Sequence, residues 1–238
     1  AVYTGSMTVV NGDPVWMYPG LCDKKTYPGC STGTDFSLAL PSNRSDPLLT
    51  NWSKYVGNPV VNGTQRDPTT AWQVPGTREW RVTDYSGAEY GSLDFRKWYK
   101  IGTGAGWHTG ECPSLFPLPP ITPGAGMAPT LAASPTHVWK VSSGGRDWMT
   151  VGTYVAGGIN KPGSFVADRT AAFEQQLVDF GQFYASKDLY DPVKRRRINW
   201  GWAKVPPLSS QTLPREVTWH PRLRQLVFKP VAEQAQLR

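Results

Sequence analysis

Two short motifs in this sequence place carboxylates where they could do chemistry. Arg66-Asp67-Pro68 and Glu111-Cys112-Pro113 each set one carboxylate beside a proline, between segments that read as β-strands. One carboxylate at such a junction is usually a turn residue, because Asp and Asn side chains favour turns. Two such motifs in one chain favour a functional interpretation, since paired carboxylates are a general means of acid–base catalysis.

Both motifs resemble signatures of one enzyme family. They are similar to the Arg-Asp-Pro and Glu-Cys-Pro signatures of glycoside hydrolase family 32, the β-fructofuranosidases. The resemblance extends from about residue 4 to residue 231, and its blocks follow the family order, so it is far more specific than a single three-residue motif. The further blocks lie at residues 46–49, 57–60, 183–187, 190–191, 196–197, 200–202 and 213–216.

Composition and strand spacing predict an all-β protein. Its 24 glycines and 22 prolines make about a fifth of the 238 residues, against a usual share of roughly 12%, which implies many turns. Short apolar and aromatic segments between turns are typical of a β-propeller or a β-sandwich. The resemblance favours a five-bladed β-propeller, which in the family has a β-sandwich behind it. It implies one partial propeller catalytic domain over residues 1–238, with about four blades and no second domain.

The resemblance also implies roles for individual residues. Family members are retaining glycosidases, in which two carboxylates act across the bond to be cleaved. Glu111 matches the acid/base, which must carry a proton, and we expect a neighbouring carboxylate and apolar surroundings to favour that state. Asp67 matches the stabiliser of the transition state, with Arg66 as its charge partner. Trp72 and Trp107 lie close to the motifs and are candidate sugar-binding platforms, with core packing as the alternative.

The family's nucleophile has no counterpart in this sequence. It is the aspartate of a Trp-x-Asn-Asp-Pro-Asn-Gly stretch in the first blade, and Asn11-Gly12-Asp13-Pro14 differs from it by an inserted glycine. We interpret that segment as a hairpin turn. Three explanations stay open: a docked second chain, a longer chain, or loss of the nucleophile. In the last case the propeller would be an inactive carbohydrate-binding or assembly subunit.

The expected ligand is a fructose-containing sugar, either sucrose or a fructan. Tyr3 stands where many family members carry Trp before Thr-Gly-Ser. The resemblance therefore does not determine which leaving group the pocket accepts. No cofactor or metal is predicted, because no second Cys or His pair has zinc-ligand spacing. Cys112 is interpreted as a packed thiol.

Other partner classes are disfavoured. The net charge is +7, but the densest basic run, residues 194–197, lies between two strand-like segments and reads as a hairpin turn rather than a nucleic-acid site. No apolar run approaches the ~18 residues of a membrane span. The longest helix-like segment, residues 171–178, is barely two turns.

Several features predict a secreted, cell-wall or vacuolar protein. Asn43, Asn51 and Asn62 each begin an Asn-x-Ser/Thr glycosylation signal. Cys22 and Cys30 share one polar loop and are expected to form a disulfide, as suits an oxidising compartment. The first residues resemble neither a signal peptide nor a normal start, so we expect a processed or internal N-terminus.

Overall fold

The computed structural model describes residues 2–22, 33–125 and 135–237. Within these ranges the chain forms β-strands and one short 3-10 helix, as the all-β prediction requires. The chain divides into two compact units. Unit 1 comprises residues 1–113 and 155–164, and unit 2 comprises residues 114–154 and 165–238.

The first sheet of unit 1 begins with the predicted hairpin. Its strands are β1 (Ser6–Val10), β2 (Asp13–Cys22), β3 (Gly33–Pro41), β4 (Trp52–Lys54) and β5 (Val61–Thr64). They run in the order β1-β2-β3-β4, and β5 also pairs with β3. Asn11 and Gly12 have φ of 52° and 88°, the left-handed conformation that an Asn-Gly turn needs. Asp13 therefore pairs with Val10 inside the hairpin, as the turn interpretation predicted.

The second sheet of unit 1 is a meander of four antiparallel strands. These are β6 (Trp72–Gln73), β7 (Trp80–Thr83), β8 (Ala88–Ser92) and β9 (Tyr99–Thr103). All five residues of β8 are buried, so this strand lies inside the unit. The two sheets share one apolar core, which includes Val15, Met17, Phe36, Leu38, Val82, Tyr90, Phe95 and Trp98.

The third sheet contains a hairpin across residues 142–146. Its strands are β10 (Glu111–Pro117), β11 (His137–Ser143), β12 (Arg146–Val155), β13 (Ser164–Ala167) and β14 (Gln176–Leu177). β11 and β12 form the hairpin, with Ser143 opposite Arg146. The chain passes from unit 1 to unit 2 after Pro113, within β10.

The fourth sheet lies in unit 2. Its strands are β15 (Phe183–Asp191), β16 (Arg196–Ala203), β17 (Ser210–Gln211), β18 (Arg215–His220) and β19 (Gln225–Pro230), followed by the 3-10 helix Ala232–Leu237. The core of unit 2 includes Phe116, Val138, Met149, Val151, Val178, Phe183, Val217, Trp219 and Leu226. The described chain thus forms four blade-like antiparallel sheets, in agreement with the predicted four.

The basic run between β15 and β16 is a tight turn, as predicted. Asp191 pairs with Arg196 in the sheet register, and their side chains form an ion pair of 3.0 Å. Arg196 and Lys194 also contact Glu233 of the 3-10 helix. Most of the positive charge of the run is therefore neutralised within the chain. In the described ranges no helix has the length and hydropathy to cross a membrane.

Candidate active site

The first motif lies in the connection between β5 and β6 and is held by buried hydrogen bonds. The Ser6 hydroxyl donates to the Pro68 carbonyl at 2.6 Å, and the Thr69 amide donates to the Thr83 carbonyl at 2.9 Å. Between them, Asp67 adopts a φ of 63°, which is uncommon for a residue other than glycine. Its side chain is only 4% exposed. Strain of this kind persists only where surrounding contacts enforce it.

The second motif meets the first at the start of β10. Cys112 also has a positive φ, 48°, and its amide donates to Asp67 Oδ2 at 3.0 Å although the two residues are 45 positions apart. The Cys112 thiol is buried and lies 3.8 Å from the same oxygen, consistent with a packed thiol. Its neighbour Glu111 has a side chain that is 37% exposed. The structure therefore brings both motifs to one place.

Arg66 lies between the two carboxylates. Its Nη2 forms an ion pair with Glu111 Oε1, and its Nε lies 3.7 Å from Asp67 Oδ2. Burial alone would lower the pKa of Arg66, but the hydrogen bond and charge of Glu111, followed by the charge of Asp67, raise it above its ordinary value. A guanidinium contact stabilises the charged form of a carboxyl group. The surroundings of Glu111 thus differ from the apolar ones expected from the sequence.

Two tyrosines that sequence reasoning missed as a pair contact the Arg66 guanidinium. Its central carbon lies 5.3 Å from the Tyr3 ring centroid and 4.9 Å from the Tyr85 ring centroid. The backbone of Tyr85 also joins the two motifs, because its amide donates to the Arg66 carbonyl and its carbonyl accepts from the Gly110 amide, each at 3.2 Å. Tyr85 follows β7 in a turn, a position that the sequence marks only as a loop.

The structure places the two tryptophans proposed as sugar platforms on different segments of unit 1. Trp72 is half-buried on β6, opposite Arg81. Trp107 packs beside Gly104, and it is one of the groups that lower the pKa of Glu89. Trp107 therefore lies beside a second charged cluster of unit 1, and its role as a platform remains a prediction.

That second cluster is buried. We name it the Arg81 cluster, and it consists of Glu79, Arg81, Glu89 and Tyr99. Arg81 bonds Glu79 Oε2 at 2.7 Å and Glu89 Oε2 at 2.8 Å, and all three of these side chains are fully buried. The Tyr99 hydroxyl donates to Glu79 at 2.6 Å. Tyr99 is half-buried, but no solvent reaches the three charged side chains, so the cluster is structural.

The Arg81 cluster also fixes the segment 155–164. Arg81 donates to the carbonyls of Gly158 at 2.6 Å and Lys161 at 3.0 Å, while the Gly163 amide donates to Glu89 at 2.9 Å. The segment approaches so closely that a Cβ on Gly104 would lie 1.7 Å from the Gly163 carbonyl oxygen. Gly104 is therefore required by packing.

The predicted modification sites are accessible where they are described. Asn43, Asn51 and Asn62 are all exposed. Cys30 lies outside the described residues and the side chain of Cys22 is not described, so their disulfide remains a prediction. Across residues 2–22, 33–125 and 135–237, no group of three His, Cys, Asp or Glu side chains could hold a metal ion.

Comparisons with known proteins agree on one family. The family model described as "Glycosyl hydrolases family 32 N-terminal domain" matches residues 1–230. The chain is 35% identical to a β-fructofuranosidase, insoluble isoenzyme 2, of Oryza sativa subsp. indica, covering 99% of this chain and 44% of that protein. It is 32% identical to fructan 1-exohydrolase w1 of Triticum aestivum, with 99% and 43% covered.

Solved structures give the same result. The crystal structure of fructan 1-exohydrolase IIa from Cichorium intybus matches with a TM-score of 0.76 and 27% identity, covering all of this chain and 48% of that one. A variant of that enzyme solved in complex with 1-kestose matches with a TM-score of 0.77 and 28% identity. This chain therefore spans a little under half the length of the relatives that it matches.

Proposed function

Because this chain belongs to glycosyl hydrolase family 32, we propose that its site cleaves β-fructofuranosides, either sucrose or a fructan, with retention of configuration. Residues 1–238 would form part of a five-bladed propeller catalytic domain. Fructose release from sucrose and from 1-kestose, described below, distinguishes the two substrates.

One observation carries the proposal. Two carboxylates from distant motifs converge around one guanidinium. The Cys112 amide donates to Asp67, and Arg66 forms an ion pair with Glu111. One carboxyl is buried and held by a backbone amide, whereas the other is partly exposed. Two acidic groups in different environments can take different roles, one remaining charged and the other exchanging protons. This asymmetry suits Asp67 as stabiliser and Glu111 as acid/base.

The proposed reaction has two steps. A carboxylate nucleophile attacks the anomeric carbon of the fructosyl group, the bond to the leaving oxygen breaks, and that oxygen takes a proton from Glu111. Water then attacks the same carbon and gives a proton to Glu111, the bond between this carbon and the carboxylate nucleophile breaks, and fructose is released. Asp67 would accept hydrogen bonds from fructosyl hydroxyls. Arg66 must leave Glu111 before this carboxyl can carry a proton, so Arg66 would move to the sugar as it binds.

The nucleophile would come from a segment that these 238 residues do not include. The sequence has no Asn-Asp-Pro-Asn stretch, and the relatives are more than twice as long. We propose that a first blade, on the same precursor or on a docked second chain, supplies it. Whether this segment stays attached, is cleaved or is lost decides between an enzyme and an inactive sugar-binding propeller.

Fructose release tests the proposal directly. The chain is assayed on sucrose and 1-kestose alone and together with a co-expressed first blade from the Oryza relative. We expect activity only in the second case, and Glu111→Gln should lower it by about 10²–10⁴-fold, because proton transfer is removed. Sugar binding, measured by calorimetry, should survive this substitution. Glu174→Gln, at an exposed position of unit 2, is the matched control and should leave the rate unchanged.

The outcomes separate the two functions. Sugar binding without fructose release in any combination would favour the inactive binding module over the enzyme. Neither binding nor release, from a folded protein, would contradict both. Asp67→Asn should retain the fold and lose rate, since it weakens stabilisation of the transition state.

The chain is also proposed to pass through the secretory pathway. The exposure of Asn43, Asn51 and Asn62 supports glycan attachment there. Expression in a secreting host, followed by intact mass before and after glycosidase treatment, should show a decrease in mass. Alkylation without reductant should leave Cys22 and Cys30 unlabelled, and labelling of both would contradict their disulfide.

A further inference from the structure

We propose that Tyr85 is a positioning residue of this site, which holds the Arg66 guanidinium at the two carboxylates in the absence of sugar, with Tyr3 as a second ring contact. The inference deepens the proposed function and rests on it for its catalytic consequence. Its structural content concerns residues of unit 1 alone.

The backbone of Tyr85 supplies the first support. One residue donates to the Arg66 carbonyl and accepts from the Gly110 amide, each at 3.2 Å. It therefore links Arg66 to Gly110, which 43 intervening residues separate along the chain. The turn that carries Tyr85 is itself fixed, because the Asp84 carboxylate accepts from the amides of Ser86 at 2.9 Å and Gln65 at 3.2 Å.

The side chain of Tyr85 supplies the second. Its ring centroid lies 4.9 Å from the Arg66 central carbon, and Tyr3 lies 5.3 Å away on a second ring, both within the ~6 Å range of a cation–π contact. Such a contact uses the ring and leaves the guanidinium N–H groups directed at Glu111 and Asp67. The two rings thus restrict where Arg66 can go without competing for its hydrogen bonds.

The two tyrosines are not equivalent. Tyr85 is half-buried and bonded through its backbone, whereas Tyr3 is 46% exposed and stands at the edge of the described chain. Desolvated cation–π contacts are stronger than exposed ones. The larger effect is therefore expected at Tyr85, and the role of both residues resides in the ring rather than in the hydroxyl.

The test uses pairs of substitutions that keep or remove the ring. Tyr85→Phe and Tyr85→Leu are compared with Tyr3→Phe and Tyr3→Leu by carbon-13 NMR titration of the Glu111 carboxyl, whose signal is assigned by its loss in Glu111→Gln. In the leucine variants the Arg66–Glu111 pair should be populated about 2–5-fold less, as expected for loss of roughly 0.5–1 kcal/mol. The titration midpoint of Glu111 should then move upward by several tenths of a pH unit, and more for Tyr85 than for Tyr3. The phenylalanine variants should match the wild type.

Equal midpoints in the wild type and in both folded leucine variants would overturn the proposal, as would a shift in the phenylalanine variants as large as in the leucine ones. If Tyr85→Leu does not fold, Tyr3→Leu still tests the ring contact, because Tyr3 lies at the surface. The NMR measurement does not require activity. Failure of fructose release would therefore count against the proposed function and leave this inference intact.

Discussion

Unit 1 contains the same chemical arrangement twice. In one, Arg66 lies between Asp67 and Glu111, and in the other Arg81 lies between Glu79 and Glu89. Each is one guanidinium with two carboxylates.

They differ in burial and in their remaining partners. The three charged side chains of the Arg81 cluster are fully buried and are bonded to Tyr99 and to the backbone of segment 155–164. Around Arg66, the guanidinium is 32% exposed and Glu111 37% exposed, and tyrosine rings replace backbone carbonyls as neighbours of the guanidinium. Its two motif residues with positive φ add strain that the Arg81 cluster lacks.

The difference separates structure from function. Buried charged side chains need partners from the protein itself, because removal of one partner greatly lowers the free energy of unfolding. A partly exposed group can give up one of its contacts to a ligand. Charged groups of identical composition therefore differ in function according to whether solvent and substrate can reach them.

The largest effect is expected from Arg81→Met. It leaves two buried carboxylates without their cation and frees the carbonyls of Gly158 and Lys161, so the free energy of unfolding should fall by about 3–5 kcal/mol. Urea unfolding followed by tryptophan fluorescence measures it, and thermal melting should drop by on the order of 10 °C.

The matched control is Arg78→Met, at an exposed position three residues earlier. It should change the free energy of unfolding by no more than about 0.5 kcal/mol. A similar loss in the two variants would mean that the burial of Arg81 does not decide its contribution, and the comparison would fail.

Much of the fold could be predicted from local sequence. The Asn11-Gly12 turn follows from turn residues between apolar segments, and it forms as predicted. The helix-like segment 171–178 instead contains β14, where Leu177 pairs with Trp148 of β12. Eight residues are too few for a stable isolated helix, so a tertiary strand partner determines this segment.

The candidate site was predictable only in part. The two motifs identify Arg66, Asp67 and Glu111 by residue type and order, and the structure brings them together. The sequence does not identify Tyr85 as a site residue, because its contacts depend on which loop lies opposite the turn after β7. Closeness in sequence is also a poor guide at Trp107, which lies four residues before Glu111 but packs beside Gly104.

An effect of intermediate size is expected on the pH dependence of the free energy of unfolding, through the glutamates of the Arg81 cluster. Burial raises the pKa of Glu89, and the Gly163 amide, Arg81 and Trp107 offset only part of this. Burial alone would raise the pKa of Glu79 as well, but the hydrogen bonds from Tyr99 and Arg81 outweigh it and lower that pKa. The two glutamates of one arginine should therefore contribute to stability with opposite dependence on pH.

The signs follow from proton linkage. Folded Glu89 binds its proton more tightly than the unfolded chain does, so its contribution to stability increases as pH falls from the folded pKa towards the ordinary value of 4.5. Folded Glu79 binds its proton less tightly, so its contribution is present above 4.5 and is lost as pH falls further. Each slope is at most about 1.4 kcal/mol per pH unit.

Urea unfolding of the wild type, Glu89→Gln and Glu79→Gln between pH 3 and 7 measures the contribution of each glutamate to the free energy of unfolding. The wild-type free energy of unfolding minus that of Glu89→Gln should increase on acidification above pH 4.5. The corresponding difference for Glu79→Gln should decrease below it. Slopes of the same sign would show that the two glutamates share one environment, and the asymmetry within the cluster would be wrong.

The smallest effect on stability is expected from Arg66→Met, the same substitution at the partly exposed arginine. Its ion pair with Glu111 is screened by solvent and its cation–π contacts are weak, so the free energy of unfolding should fall by no more than about 1 kcal/mol. Asp67 keeps its bond from the Cys112 amide, which limits the cost of removing the cation. The same variant should lose most fructose release in the reconstituted enzyme, because Arg66 is proposed to bind the sugar. A loss of stability as large as that of Arg81→Met would instead make the Arg66 group a structural cluster. Unchanged stability together with unchanged sugar binding would show that Arg66 is not part of the sugar-binding site.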